Sequence, residues 1–192
     1  VEETILELLD IKQEMFRRLK LVKDADVTGI VSYNSKVNKK DRLPFIFVII
    51  DELFSFMTLP ASPPNRKDAT SEDLIFNQKT AYRTMAEIAS MCRAVGIHLM
   101  FCTQRPTDSV IPTNITCNCG LRIGLRTSNE QESRNIIEEK GLEIIDINAV
   151  GQGIVKTDKL TRFQTFWTTE EKIREVCAKN KRTTLEAKVI NK

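Results

Sequence analysis

Leu43-Pro44-Phe45-Ile46-Phe47-Val48-Ile49-Ile50-Asp51-Glu52 is the stretch that decides the fold. The unbroken β-branched and aromatic run from Phe45 to Ile50 predicts a strand buried on both faces, as in a parallel sheet covered by helices. The run then stops at two carboxylates. In such sheets ligands collect beyond the carboxyl ends of the strands, where Asp51 and Glu52 stand. This is the form of a Walker B element: the Asp holds the water shell of a magnesium ion and the Glu polarises the water that attacks a γ-phosphate. A plain strand ending in a polar loop has the same pattern, so the run alone leaves both readings open.

A second block has the same design. Ala94-Val95-Gly96-Ile97-His98-Leu99-Met100-Phe101-Cys102-Thr103-Gln104-Arg105-Pro106 reads as a helix end, a glycine stop, a short apolar strand and a polar tip. Gly96 suits the left-handed residue that follows a helix. Ile97 to Cys102 is expected beside the first strand, so that Thr103 and Gln104 emerge at the same sheet edge as Asp51 and Glu52. A glutamine amide there can sense a γ-phosphate or orient the attacking water. It can also simply cap a strand end.

Taken together, LPFIFVIIDEL and AVGIHLMFCTQRP resemble the motor domain of the FtsK/SpoIIIE family of DNA translocases. Met15-Phe16-Arg17-Arg18-Leu19 and Ile30-Val31-Ser32-Tyr33-Asn34 resemble the helix and the YN segment that precede Walker B in that family. Leu121-Arg122-Ile123-Gly124-Leu125-Arg126 and Ser133-Arg134-Asn135-Ile136-Ile137 resemble its next strand and helix, so the likeness runs over about residues 15–155. The resemblance implies a RecA-like P-loop NTPase core: a largely parallel sheet flanked by helices, truncated on its N-terminal side, with a β-hairpin near the C-terminus. It implies one partial motor domain over residues 1–178 and a basic polar tail over 179–192.

The departure from the family is as informative. The family's phosphate-binding loop, G-x-x-x-x-G-K-[ST], cradles the phosphates with its amides and lysine. This sequence contains no Gly-Lys dipeptide, and it begins at Val1. A fragment starting after that loop is the simple expectation, one that by itself binds nucleotide poorly and turns over nothing. A paralogue that never had the loop is the alternative.

By resemblance, the intact protein uses ATP and Mg²⁺. Glu52 and Gln104 are the expected catalytic groups, and Asp51 and Thr103 the expected cofactor-binding pair, Asp51 holding Mg²⁺ through water. Arg122 falls where such motors carry an arginine that reaches a neighbouring subunit's phosphates, and Arg126 shares its face. Arg134, Lys140 and Lys156 are the candidates for contact with the DNA backbone. The implied partners are double-stranded DNA and other copies of the chain in a hexameric ring. The implied location is the cytoplasm, with a membrane anchor only through a segment outside this sequence. Chromosome segregation and conjugative transfer remain equally open. A type VII-like protein secretion ATPase, or a non-catalytic assembly module of the same fold, stands as the alternative.

Composition agrees without adding specificity. The chain has 192 residues and a net charge of +3, enough length for a real core and too little charge to argue for nucleic acid unaided. No signal peptide and no run of about 18 apolar residues is present. The cysteines, Cys92, Cys102, Cys117, Cys119 and Cys177, are odd in number and form no C-x-x-C pair, so buried or neutral thiols are expected rather than a metal site.

The remaining elements follow from periodicity. Ile5, Leu8, Leu9, Met15, Phe16 and Leu19 predict an amphipathic helix over residues 2–22, with Lys12, Arg17, Arg18 and Lys20 on its wet face. Pro60, Pro63 and Pro64 predict a loop over 59–69, an insertion by comparison with the family, tipped by Arg66 and Lys67. A helix over 71–95 carries the stripe Ala81, Met85, Ile88, Ala89, Cys92 and Val95. Leu121, Ile123 and Leu125 alternate with Arg122, Gly124 and Arg126, a strand with one polar face. Ser128 with Gln131 predicts a capping box for the next helix, and Gly141 its end. A hairpin turns at Lys156-Thr157-Asp158-Lys159, with Phe163 and Trp167 on or near its second strand, and Thr168 with Glu171 caps a last helix.

Overall fold

The computed structural model describes residues 2–60, 70 and 75–179. The tip of the proline loop with Arg66 and Lys67, the start expected for the second long helix, and the tail beyond Lys179 lie outside the described residues.

Helix α1 (Glu2–Asp24) opens the chain. Ile5, Leu8, Met15 and Val22 bury its inner stripe. Arg18 is a correction to the expected wet face: it is 2% exposed. Its guanidinium donates to the Glu14 carboxylate at 2.7 Å, to the Pro44 carbonyl at 2.6 Å and to the Val95 carbonyl at 3.1 Å. A charge is tolerated in the interior when it is paired and its donors are used. Phe16 lies on the solvent side instead, 47% exposed.

Helix α2 (Ile30–Lys36) supplies a second brace. The Asn34 side chain accepts from the Leu43 N–H and donates to the Leu43 carbonyl, both at 2.8 Å. The chain is thus fixed at Leu43 and Pro44 immediately before strand β1 (Ile46–Ile50).

After β1 comes a 3-10 turn, Leu53–Thr58, seated in the core by Leu53 and Phe56. Helix α3 (Gln78–Met91) begins at Asn77, whose side chain accepts from the Thr80 N–H, and buries Ala81, Thr84, Met85 and Ile88. A 3-10 turn over Cys92–Val95 ends at Gly96, with φ of 72°, as its place before the strand requires. Strand β2 (Ile97–Phe101) then pairs with β1 in parallel, Ile46 opposite Ile97 through Ile50 opposite Phe101.

The two-sided burial expected of β1 is not what the structure shows. Phe45, Phe47 and Ile49 are 52%, 71% and 63% exposed, and Met100 across from Ile49 is 52% exposed. Helices α1 and α3 and their neighbours build the core on the other face, where Ile50 and Ile97 are buried. His98, the one histidine, stacks between Phe45 and Phe47 on the bare face, at 5.9 and 5.1 Å between ring centroids.

The second half folds differently from a continuous parallel sheet. A short helix α4 (Thr113–Thr116) leads to strand β3 (Arg122–Leu125), then helix α5 (Glu130–Ile137) and the hairpin β4 (Gln152–Lys156) and β5 (Leu160–Gln164). These three strands form an antiparallel sheet in the order β3-β4-β5. Ile137, Leu142, Ile145 and Ile154 make a second, smaller hydrophobic cluster beneath it.

The polarity of β3 is inverted relative to the sequence pattern. Leu121, Ile123 and Leu125 face outward, 57%, 57% and 53% exposed, while Gly124 is buried. The absent side chain at Gly124 admits Leu142, whose Cδ1 lies 2.3 Å from where a Cβ would be.

Two caps are shifted by one residue. Asn129, not Ser128, caps α5 by accepting from the Glu132 N–H, while Glu132 accepts from the Ser128 N–H. The helix ends at Glu138 in the left-handed region, φ 61°, before reaching Gly141. Thr169, not Thr168, accepts from the Lys172 N–H at the start of helix α6 (Glu170–Lys179). Trp167 stands just past the hairpin, 86% exposed. No described helix is long and apolar enough to cross a membrane, and all five cysteines are free thiols.

Candidate functional site

In-phase pairing of β1 and β2 brings their tips together. The ladder continues past the strands: the Cys102 N–H donates to the Ile50 carbonyl at 2.8 Å and the Leu53 N–H to the Cys102 carbonyl at 2.9 Å. Asp51 and Glu52 therefore lie alongside Cys102 and Thr103.

Glu52 is the centre of this edge. Its Oε1 accepts from the Phe54 N–H at 2.9 Å and from the Thr103 hydroxyl at 2.9 Å. Its Oε2 accepts only a long contact, 3.4 Å, from the Gln104 N–H. The Phe54 N–H is the main reason that the Glu52 carboxyl sits below its ordinary value; Thr103, Gln104 and the charge of Arg105 act in the same direction, against desolvation. The group stays ionised at neutral pH, with Oε1 held by two short hydrogen bonds and Oε2 by one long contact.

Arg105 completes the loop. Its N–H donates to the Thr103 hydroxyl oxygen at 3.1 Å, and its guanidinium carbon lies 4.3 Å from the centroid of the Phe54 ring. Gln104 is exposed, and among the described residues its amide makes no hydrogen bond.

Asp51 is exposed, and among the described residues its carboxylate makes no hydrogen bond or ion pair. No three His, Cys, Asp or Glu side chains converge as metal ligands among those residues. Magnesium that keeps most of its waters and binds substrate phosphates needs only one or two protein carboxylates. Asp51 fits that demand.

The arginine expected to reach a neighbour is already committed. Arg122 donates to the Thr116 carbonyl at 2.8 Å, makes longer contacts to the Cys119 and Ile136 carbonyls, and pairs with Glu138 at 3.0 Å. Its side chain is 16% exposed. These bonds join β3 to α4 and α5 and give Arg122 structural work inside its own chain. Arg126, just past β3, is exposed and makes no hydrogen bond or ion pair among the described residues.

The basic candidates divide likewise. Arg134 pairs with Glu130 one turn earlier on α5, at 2.6 Å, and Lys156 pairs with Glu138, the acid that also holds Arg122. Lys140 is exposed in the turn after α5. None of the three lies on the edge formed by the β1 and β2 tips. A concavity of about 740 Å³, lined by Gly29, Phe45, Ala94 and His98 among others, opens at the opposite end of the β1–β2 pair.

Sequence reasoning missed Thr103's bond to Glu52 and the link from the Asn135 amide to the Pro106 carbonyl at 2.6 Å. The first was accessible in principle, because in-phase strands place the residues after Ile50 and Phe101 side by side. The second depends on the packing of α5 and has no local signal.

No protein-family model matches the chain. Its sequence is 37% identical over 169 residues to the DNA translocase FtsK of Caldanaerobacter subterraneus subsp. tengcongensis, a match spanning 85% of this chain and 21% of that protein. It is 34% identical over 134 residues to the DNA translocase FtsK of Treponema pallidum, spanning 68% of this chain and 15% of that one. The chain thus spans about a fifth, or less, of the length of these relatives. The monomer form of the pCW3 conjugation coupling protein TcpA with ATPγS shares the fold, with a TM-score of 0.74 over 90% of this chain and 46% of that one at 24% identity. So does the cytoplasmic domain of the Thermomonospora curvata type VII secretion ATPase EccC, with a TM-score of 0.64 over 91% of this chain and 20% of that one at 19% identity. By sequence over most of its own length, the chain belongs to the FtsK/SpoIIIE family.

Proposed function

We propose that this chain is the Walker B side of an ATP-driven motor that moves double-stranded DNA. The observation that carries the reading is the zipped edge where Glu52 meets Thr103 and Gln104. Its relatives at 37% and 34% identity are DNA translocases. In this reading Asp51 holds the water shell of Mg²⁺, the Oε2 of Glu52 polarises the attacking water, and the Gln104 amide reads the γ-phosphate. Phosphate-cradling amides and a lysine come from outside these 192 residues, since no G-x-x-x-x-G-K-[ST] pattern occurs within them. Copies assemble as a ring around the duplex on the cytoplasmic side. Arg126, rather than Arg122, reaches the neighbouring site, because its guanidinium is the one not already spent within the described residues.

Lys140 is the best placed of the three basic candidates for DNA, because Arg134 and Lys156 are each paired with an acid. Phosphate contacts of this kind are sequence-blind and weaken steeply with salt. A protein-secretion motor is the second reading, favoured only by the fold shared with EccC at 19% identity.

The test is ATP hydrolysis by the protein expressed from its whole reading frame, with and without duplex DNA, beside the Glu52→Gln variant. The expected result is turnover stimulated by DNA and reduced by at least about a hundredfold in the variant. Turnover indifferent to DNA but raised by a secreted-protein signal segment transfers the chain to the second reading. An unaltered Glu52→Gln rate removes Glu52 from the chemistry.

A further inference from the structure

We infer that Thr103 is a positioning residue for Glu52, not a ligand of the nucleotide. A threonine hydroxyl has one proton to give. Two acceptors lie near it, the Glu52 Oε1 at 2.9 Å and the Arg105 carbonyl at 3.5 Å. The ionised carboxylate is both nearer and the stronger acceptor. The hydroxyl oxygen meanwhile accepts from the Arg105 N–H at 3.1 Å. The one side chain therefore ties the carboxylate at the end of β1 to the backbone of the loop after β2. With the Phe54 N–H it puts two short hydrogen bonds on Oε1 and leaves Oε2 with only the long contact from the Gln104 N–H, so Oε2 is the oxygen freer to act.

The alternative is that Glu52 merely caps the 3-10 turn, for which the Phe54 N–H suffices. A cap needs no second donor from another strand. The second donor, together with the Gln104 N–H 3.4 Å from the other oxygen, makes the orientation of Glu52 depend on the β2 loop. A displacement of that loop swings the carboxylate.

This inference rests on Glu52 being the catalytic carboxylate. Thr103→Val keeps the shape and deletes the hydroxyl; Thr103→Ser keeps the hydroxyl; Thr103→Ala serves as a second deletion. Steady-state ATP hydrolysis by the protein from its whole reading frame is measured over a range of ATP concentrations, with Glu52→Gln alongside. Thr103→Val and Thr103→Ala are expected to lower kcat roughly tenfold to a hundredfold with KM nearly unchanged. Thr103→Ser, which keeps the hydroxyl, is expected to restore kcat.

If Glu52→Gln abolishes turnover while the Val and Ala variants match the wild type, Thr103 does not position Glu52 and the function reading stands. A rise in KM alone returns Thr103 to the nucleotide. Loss in all three variants, serine included, marks the residue as structural. Turnover that survives Glu52→Gln removes the reading and the inference together.

Discussion

Replacing Arg18 by Met tests whether one buried guanidinium sets the start of both motif strands. Arg18 is 2% exposed and holds the Pro44 carbonyl just before β1 and the Val95 carbonyl just before β2. Met restores much of the volume and none of the donors. An unsatisfied buried acceptor costs about 1–3 kcal/mol. Two are orphaned here, the Val95 carbonyl in a buried bond and the Pro44 carbonyl in a partly buried one. Glu14 loses one of its two arginines and keeps Arg17. The expected loss is about 4 kcal/mol, within the range for breaking a buried pair. At a urea m-value of about 2.5 kcal/mol/M, the unfolding midpoint falls by about 1.6 M. Helical circular dichroism is the suitable probe, because Trp167, 86% exposed, barely changes environment on unfolding. Arg17→Met is the control: that side chain is 54% exposed, and its loss is expected to cost about 0–1 kcal/mol. Arg18→Lys falls between, keeping the charge but not the fork that spans three acceptors. A midpoint for Arg18→Met no lower than that for Arg17→Met refutes the argument.

The Glu14 carboxyl is held at about 2, against an ordinary 4.5, chiefly by Arg17's hydrogen bond and also by Arg18. A depressed folded-state value gives stability that is complete above the unfolded value and is lost as pH falls through the folded one. Melting temperatures between pH 4.5 and 2 should therefore drop less steeply in Glu14→Gln than in the wild type, whose advantage at neutral pH is about 1–2 kcal/mol after solvent screening. In Gly153→Ala the new methyl meets the Gly124 carbonyl and the Phe163 ring, each 2.5 Å away. A loss of about 1–3 kcal/mol is expected in thermal denaturation, and an unchanged melting point contradicts the tight β3–β4 approach. Finally, Phe47 and Ile49, 71% and 63% exposed on the bare face of β1, should make this chain associate as its concentration rises. Light scattering should show a monomer once both are changed to Lys; a clean wild-type monomer at high concentration counts against the idea.

The motif strands were legible because short apolar runs ending in polar tips carry their own signal. Phe45–Ile50 and Ile97–Cys102 each gave a strand, and their adjacency gave the shared edge. What sequence could not show was which surroundings each face would find. Arg18 sits at helical spacing for solvent, yet two distant carbonyls draw it inward. Arg122 lies on the polar face of its strand, yet that face turns to the interior because Gly124 leaves room for Leu142. Both are long-range effects with no local trace. The cap shifts at Asn129 and Thr169 are smaller misses of the same kind, since adjacent polar residues compete for one helix start. Glu52, Thr103 and Gln104 were named from their positions, but the bond that orders them follows only from strand register.

The two hydrophobic clusters are unequal in size. The first gathers residues from α1 through α4; the second rests on Ile137, Leu142, Ile145 and Ile154. Local opening costs less where less apolar surface must be exposed, so backbone amides over the second cluster are expected to exchange with solvent faster than those of β1 and β2. Arg122 ties the two regions together through the Thr116 carbonyl, so such an opening is expected to break that bond while the contact between Glu52 and Thr103 stays closed.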